Sequence, residues 1–429
     1  MIDLPPPTAA EVATLVSTTC RSCHVAGGVA PFAFDTLGDL RRRSGVVEAV
    51  LAEHLMPPRL AHERDTISGV RALSEAERQS LLGWLTVAEP TSDETPVQEA
   101  VDPLAALGEP DLVLRAEAAW SLPREGEDRT HCFRFPLPKT MTGIRAWHLD
   151  PGPGRAAVHH AGFLVDEEGV LRLWDEGDPA PGWSGHAAIG FREAGHAGVW
   201  GAAQGYERLA DGFTRPVPSG AELVVALHAV PTGKPEPLQP TLKLWSSPPE
   251  AQPVTGVLIG SLCLDLPPNK VSVVEDEWMV PVDVAMLSVA PRAWRICRKI
   301  EVSILNWKDE VRKVLSINEW DSHWRRAFAF EEPIAVESGQ RIRVRFTYDN
   351  TESHPRQPEV PPRRFVVGHG ETYEEALLML TLAPKEAADL TLLREAHDDL
   401  VLQRGDEYRD WWANTASQRG LERQERQER

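Results

Sequence analysis

The chain has 429 residues, 42% hydrophobic and 25% charged; that is enough for two to four domains of about 100–200 residues, with no apolar run near the ~20 residues of a membrane span. Lys plus Arg number 45 against 64 Asp plus Glu, a net charge of −19, which repels phosphate backbones and anionic lipids and argues against nucleic-acid or membrane-surface binding. Thirty-six Pro, 31 Gly and only five Cys point to a turn-rich, β-heavy protein without a disulfide framework.

The opening residues, MIDLPPPTAAEV, lack the basic start and apolar stretch of a secretory signal. Residues 1–90 read as helical: Thr8 and Glu11 form a capping box ahead of an apolar-periodic run, and Ser74 and Glu77 form another. A third helix is expected over Val46–Leu55, stopped by Pro57 and Pro58. Residues 91–108 read as a linker, because the stretch from Val87 to Pro103 is rich in Pro and acidic residues and poor in apolar ones. From about residue 109 the texture changes to short alternating segments such as GIRAWHL, AELVVALHAV and QRIRVRFTY, separated by Pro, Gly and Asp turns. That is the pattern of β-sandwiches. The Pro-rich stretch Ser246–Val254 divides this part into 109–250 and 251–388. Residues 389–429 read as a helical, mixed-charge tail. The expected architecture is multidomain, one small all-α unit followed by two all-β sandwiches.

Cys20, Arg21, Ser22, Cys23 and His24 spell C-x-x-C-H, the attachment pattern of haem c. Two thiols one turn apart reach the two vinyl groups, and the adjacent imidazole faces the iron. Met56, at the end of a predicted helix and followed by two prolines, is placed where a small cytochrome c puts its thioether ligand; core filling is the ordinary use of such a methionine. A zinc site would need two more ligands, and only His54 and His62 are near; both read more simply as surface histidines. The first unit is therefore expected to be cytochrome c-like, with Cys20, Cys23, His24 and Met56 binding haem c. Because thioether haem is assembled outside the cytoplasm, the motif argues for a periplasmic or secreted protein, although no signal peptide is visible.

In the first sandwich segment, His159 and His160 sit in one predicted strand and His228 ends another. Three imidazoles suit copper or zinc. Neighbours on a regular strand point to opposite faces, so His159 and His160 share one metal only at a bulge or strand end.

With CRSCH, LMPPR, HCFRFPLP, AVHHAGFLVD, LVVALHAVPTGK, WDSHW and YDNTESHPRQP in this order, residues ~15 to ~385 resemble the copper type II, ascorbate-dependent monooxygenases, the peptidylglycine α-hydroxylating and dopamine β-monooxygenase family. They are most similar to bacterial forms with a small haem-c domain in front. The resemblance implies two jelly-roll-like sandwiches, each holding one copper across a solvent gap. On it, His159, His160 and His228 fall on the first, electron-storage copper. The second, oxygen-activating site, two His and a Met, does not carry over: Arg292 and Trp294 stand in place of the His-x-His, and Ala376 in place of the Met. Arg and Trp offer no lone pair to a metal. A site rebuilt from Met379 and His369 would have only two ligands, and sandwich core is the usual use of Met379. One copper is therefore expected. Trp320 and Trp324 read as core, and Asp349–Thr351 as turn chemistry. Cys132, Cys263 and Cys297 fit either one disulfide plus a free thiol or three buried thiols.

Two functions of different class follow. In one, an oxidoreductase passes electrons from haem to the three-His copper, uses an ascorbate-like reductant or redox protein, and oxidises a small-molecule or peptide substrate. In the other, a haem c electron carrier keeps the monooxygenase-like domains as a non-catalytic binding scaffold.

Overall fold

A computed structural model describes residues 7–21, 23–26, 30–57, 73–86, 94–98, 104–185, 195–201, 204–322, 325–367 and 373–427, with backbone only for 195–197 and 416–427. His62, His186, His323, Trp324 and His369 lie outside the described residues, as do Pro58 and the side chain of His196.

The N-terminal part carries four helices: α1 (Ala9–Thr19), α2 (Leu37–Arg41), α3 (Ser44–Ala52) and α4 (Glu75–Thr86). Both capping boxes form. The Thr8 hydroxyl accepts from the Glu11 N–H while Glu11 Oε2 accepts from the Thr8 N–H, and Ser74 and Glu77 repeat the exchange ahead of α4. Val12, Ala13 and Val16 bury one stripe of α1 against Leu37, Leu40, Leu51, Leu81 and Trp84.

The end of α3 differs from expectation. The helix stops at Ala52, before the prolines, because His54 takes the left-handed conformation, φ 58°. The His54 N–H then bonds the Leu51 carbonyl at 3.1 Å, and the Leu55 N–H bonds that of Val50 at 2.8 Å, a Schellman closure. The expected linker also differs. Its described stretch 94–98 lies against the helices: Leu37 donates to the Thr95 carbonyl at 3.0 Å, Val97 donates to that of Asp35 at 2.9 Å, and the Val97 side chain joins the helical core.

From residue 104 the chain is mostly β-sheet in sandwich-like pairs. The first pair sets a five-stranded antiparallel sheet, ordered Trp183–Ser184, Arg129–Pro136, Glu222–Ala229, Val158–Asp166, Gly195–Gly201, against a sheet built on Gly143–Asp150 and Thr241–Ser246. Phe133, Trp147, Phe163, Val225 and Leu242 fill the space between. A short helix, α5 (Arg172–Gly177), packs at one end. The Pro-rich divider is itself ordered: Gln252–Pro253 pairs with Phe213–Thr214 as an edge strand of this unit.

In the second pair, Thr255–Ser261, Ala376–Pro384, Val284–Arg292 and Phe328–Val336 form one sheet, and Val271–Met279, Arg341–Asp349, Cys297–Leu305 and Val311–Ile317 the other. Ala376–Pro384 is buried along its whole length. Period-two geometry explains why: Leu378, Leu380 and Leu382 point into the core shared by these two sheets, while Leu377 and Met379 point the other way, onto Val199 of the first pair. The two β units therefore pack directly on each other, and Met379 lies at their interface instead of in the sandwich core.

The last helix, α6 (Leu390–Gln427), docks Leu393, Ala396 and Leu400 on the second unit. Its buried His397 accepts the Leu258 N–H at Nε2, 3.0 Å, and burial draws its pKa down to about 4. Among the described residues no helix is long and apolar enough to cross a membrane.

Candidate functional site

The C-x-x-C-H segment makes one turn beyond α1. Cys20 is its C-cap, and the Cys20 carbonyl accepts from the Cys23 N–H at 3.2 Å and the His24 N–H at 3.1 Å. Both thiols are unbridged. Burial pushes the Cys20 thiol up to about 11.

The His24 ring stacks on Phe34 at 4.5 Å and lies 5.0 Å from Phe32. Its Nδ1 is 3.0 Å from the Phe32 carbonyl, which can only accept, so Nδ1 carries the proton and Nε2 keeps its lone pair. Burial lowers the pKa of the ring and favours this neutral form. A histidine tied through one nitrogen to a carbonyl with the other nitrogen open is the arrangement of an axial metal ligand. The donor set thus fits haem c at Cys20, Cys23 and His24. Met56 sits half-buried on the turn after α3, where the buried Arg78 holds its carbonyl at 3.3 Å and that of Leu51 at 2.8 Å.

The three predicted imidazoles come together. His228 is the register partner of His160, and the next pair is Ala229 with Val158. His159 is therefore the extra residue of a β-bulge, the one local geometry that lets consecutive side chains meet. Ring centroids are 4.7 Å apart for His160 and His228, 6.0 Å for His159 and His160, and 6.3 Å for His159 and His228.

Trp294 from the second unit covers the trio, with centroid distances of 4.7, 5.2 and 6.1 Å to His159, His228 and His160. Arg325, fully buried, enters from the same unit. It donates from Nη1 to His160 Nε2 at 3.1 Å and from Nη2 to the Ala293 carbonyl at 2.8 Å, and pairs with Glu375 at 2.7 Å. Its guanidinium lies 4.8 Å from the centre of the Trp294 ring. Arg292 adds a second cation on Glu375, at 3.1 Å. Burial works to raise the Glu375 carboxyl, but Arg325, Arg292 and His228 hold it down at about 2. The neighbouring Glu374 accepts the backbone N–H groups of Trp294, Ile296 and Glu375; burial outweighs those bonds and lifts it to about 8.

Directly over the trio, the space between the units is taken by Trp294 and by Arg325 with its ion pair to Glu375. Room for Arg325 comes from Gly201, the register partner of His160: a Cβ there would stand 1.6 Å from the Arg325 carbonyl oxygen.

Copper does not fit this arrangement. A guanidinium only donates, so it occupies the His160 lone pair at Nε2 and sets a fixed positive charge where a cation would sit. Burial, then Arg325, push His160 well below its usual range. Among the described residues, no group of three or more His, Cys, Asp or Glu is placed to hold a metal ion. At the second site, Arg292 pairs with Glu375, Ala376 begins a buried strand, and Met379 contacts apolar neighbours.

Beside the trio a cleft of about 720 Å³ opens between the units, lined by His159, Thr232, Trp294, Arg295, Trp320 and Arg356 among others. Trp320 is core, its indole N–H on the Ala293 carbonyl at 3.2 Å. Asp349 caps the Thr351 N–H at 3.2 Å as an Asx turn. Cys132 and Cys297 are buried and Cys263 is half-buried, and none of the three forms a disulfide.

Arg325 was not among the sequence candidates, nor were His131 and His397. His131 stacks on Trp120 at 4.0 Å and bonds the Pro181 carbonyl at 2.7 Å, a packing role.

No protein-family model matches the chain, and no curated protein matches it. Among solved structures, the crystal structure of the major capsid protein P2 from bacteriophage PM2 is similar at 8% identity and a TM-score of 0.23, over 64% of this chain and 98% of that one. A likeness at that score carries no argument about fold or function.

Proposed function

We propose that the protein is a haem c electron carrier whose two β units, derived from a copper-monooxygenase-like pair of jelly rolls, serve as a metal-free binding scaffold. The observation that carries this reading is the Arg325–His160 contact. A cation built into the imidazole trio and locked by Glu375 opposes copper, while the second copper's three ligand positions hold Arg292, a member of the same ion network, Trp294, which packs against Arg325, and Ala376. The helical unit is read as cytochrome c-like on the C-x-x-C-H turn and the His24 tautomer. In the holoprotein, Cys20, Cys23, His24 and Met56 are the residues that would hold haem c, which would supply one-electron chemistry. Phe32 orients the His24 ring, and Phe34 shields it from water. The 720 Å³ cleft, with two indoles and two arginines at its wall, is where the scaffold would take a partner or ligand.

The competing reading, a copper oxidoreductase acting on a small organic or peptide substrate, is favoured by one observation: three imidazoles within 6.3 Å of one another. Elemental analysis of protein matured in a periplasm with haem-c machinery separates the two. One iron and no copper per chain, with no ascorbate-dependent oxygen uptake, is expected. Stoichiometric copper would overturn the scaffold reading, and absence of iron would overturn the carrier.

A further inference from the structure

Met56 follows the closing turn of α3, a position where a chain ordinarily frays, yet its backbone is tied on both sides. On the amide side, the Leu55 and Met56 N–H groups both bond the Val50 carbonyl, at 2.8 and 3.2 Å. On the carbonyl side, Arg78 reaches across from α4. Its Nη1 carries two hydrogens and donates to the Met56 carbonyl at 3.3 Å and to that of Leu51 at 2.8 Å. One nitrogen thus sets the spacing between the end of α3 and Met56.

Arg78 is itself held in place. It is 3% exposed, its N–H bonds the Ser74 carbonyl at 2.9 Å in the capped first turn of α4, and its Nε lies 3.6 Å from Glu75. Closing α3 does not explain the expense of burying a guanidinium here. The Leu51 carbonyl already accepts from the His54 N–H at 3.1 Å, and the Met56 carbonyl lies beyond the helix. What the second bond does is fix the backbone of the one thioether assigned to the haem. A thioether is a neutral, weak ligand, and how well its backbone is held decides whether water or imidazole takes its place.

We propose that Arg78 is a positioning residue: by clasping the Met56 carbonyl, it keeps the thioether available as the second axial ligand. The proposal rests on the haem c reading.

The test uses the full-length holoprotein, with covalent haem measured by acid–acetone extraction on each preparation. The readouts are the methionine–iron charge-transfer band of the ferric protein and the rate at which added imidazole displaces the methionine. The wild type is expected to show the band. Arg78→Leu with native circular dichroism should keep covalent haem and be displaced at least tenfold faster, with a lower midpoint potential. Arg78→Gln, which keeps a polar side chain, is the second variant and should be displaced at least threefold faster. A role in folding alone would lower stability without moving the band or the rate. A wild-type band and displacement rate in either folded variant would overturn the proposal and leave the haem reading intact. Covalent haem without the band in the wild type would overturn the proposal and the assignment of Met56, leaving attachment at Cys20 and Cys23. Absence of iron would overturn the haem reading and the proposal with it.

Discussion

Arg325 donates to Nε2 of His160 across 3.1 Å, joining residues 165 positions apart from two separate β units. One contact thus does two things: it occupies the lone pair that a metal would use, and it anchors the second unit in the first. Arg325→Met separates these effects. Removing one partner of a buried pair costs about 3–5 kcal/mol, here because Glu375 keeps only Arg292. The same substitution frees His160. The expected outcome is a lower denaturation midpoint together with copper affinity raised at least tenfold, checked by denaturant titration and competitive Cu(II) binding. A variant that binds copper no better than the wild type would show that Arg325 does not exclude the metal.

The close approach at Gly201 makes a second prediction. Its missing side chain lets the Arg325 backbone seat against the His160 strand, since a Cβ would fall 1.6 Å from a carbonyl oxygen. A backbone oxygen cannot swing away as a side chain does, so Gly201→Ala must push the units apart. Overpacking of this kind costs about 1–3 kcal/mol. The loss should appear in chemical denaturation, with Trp294 fluorescence changed because its surroundings are set by the same contact. Wild-type stability in Gly201→Ala would mean that the interface has slack.

How much of this was legible in the sequence depends on distance along the chain. The C-x-x-C-H turn, both capping boxes and the Asx turn at Asp349 are local, involving residues two to four apart, and each reads directly. The β texture reads through alternation, and the unbroken run Ala376–Pro384 could have been read as a strand covered on both faces. His159 and His160 on one strand needed a bulge, which spacing allows but cannot place. Arg325 gave no local signal, because its role comes from Gly201 and His160 in another β unit. The substitution of Arg292 and Trp294 for imidazoles was visible; that a third residue, Arg325, fills the remaining space was not.

The haem reading is tested at its own residues. With Cys20→Ser and Cys23→Ser together, no haem should survive acid–acetone extraction, while the wild type retains it covalently. His24→Gln, which keeps a polar group opposite the Phe32 carbonyl, should keep the protein folded and change the axial-ligand spectrum. If the double serine variant retains covalent haem, the attachment site lies elsewhere.

Docking of α6 should depend on pH through His397. The ring accepts the Leu258 N–H at Nε2 and so must be neutral there. Its folded pKa is about 4, below the ordinary value of about 6.5. Between those values the unfolded chain binds a proton that the folded one does not, so this contribution is fully present above pH ~6.5 and is lost as pH falls toward 4. The slope approaches ~1.4 kcal/mol per pH unit. His397→Gln, which cannot titrate, should be less stable than the wild type at pH 7.5 and should lose less stability between pH 6.5 and 4.5. Hydrogen exchange at the Leu258 amide reports the same event locally. Parallel stability curves for wild type and variant across that window would show that the helix is held without this bond.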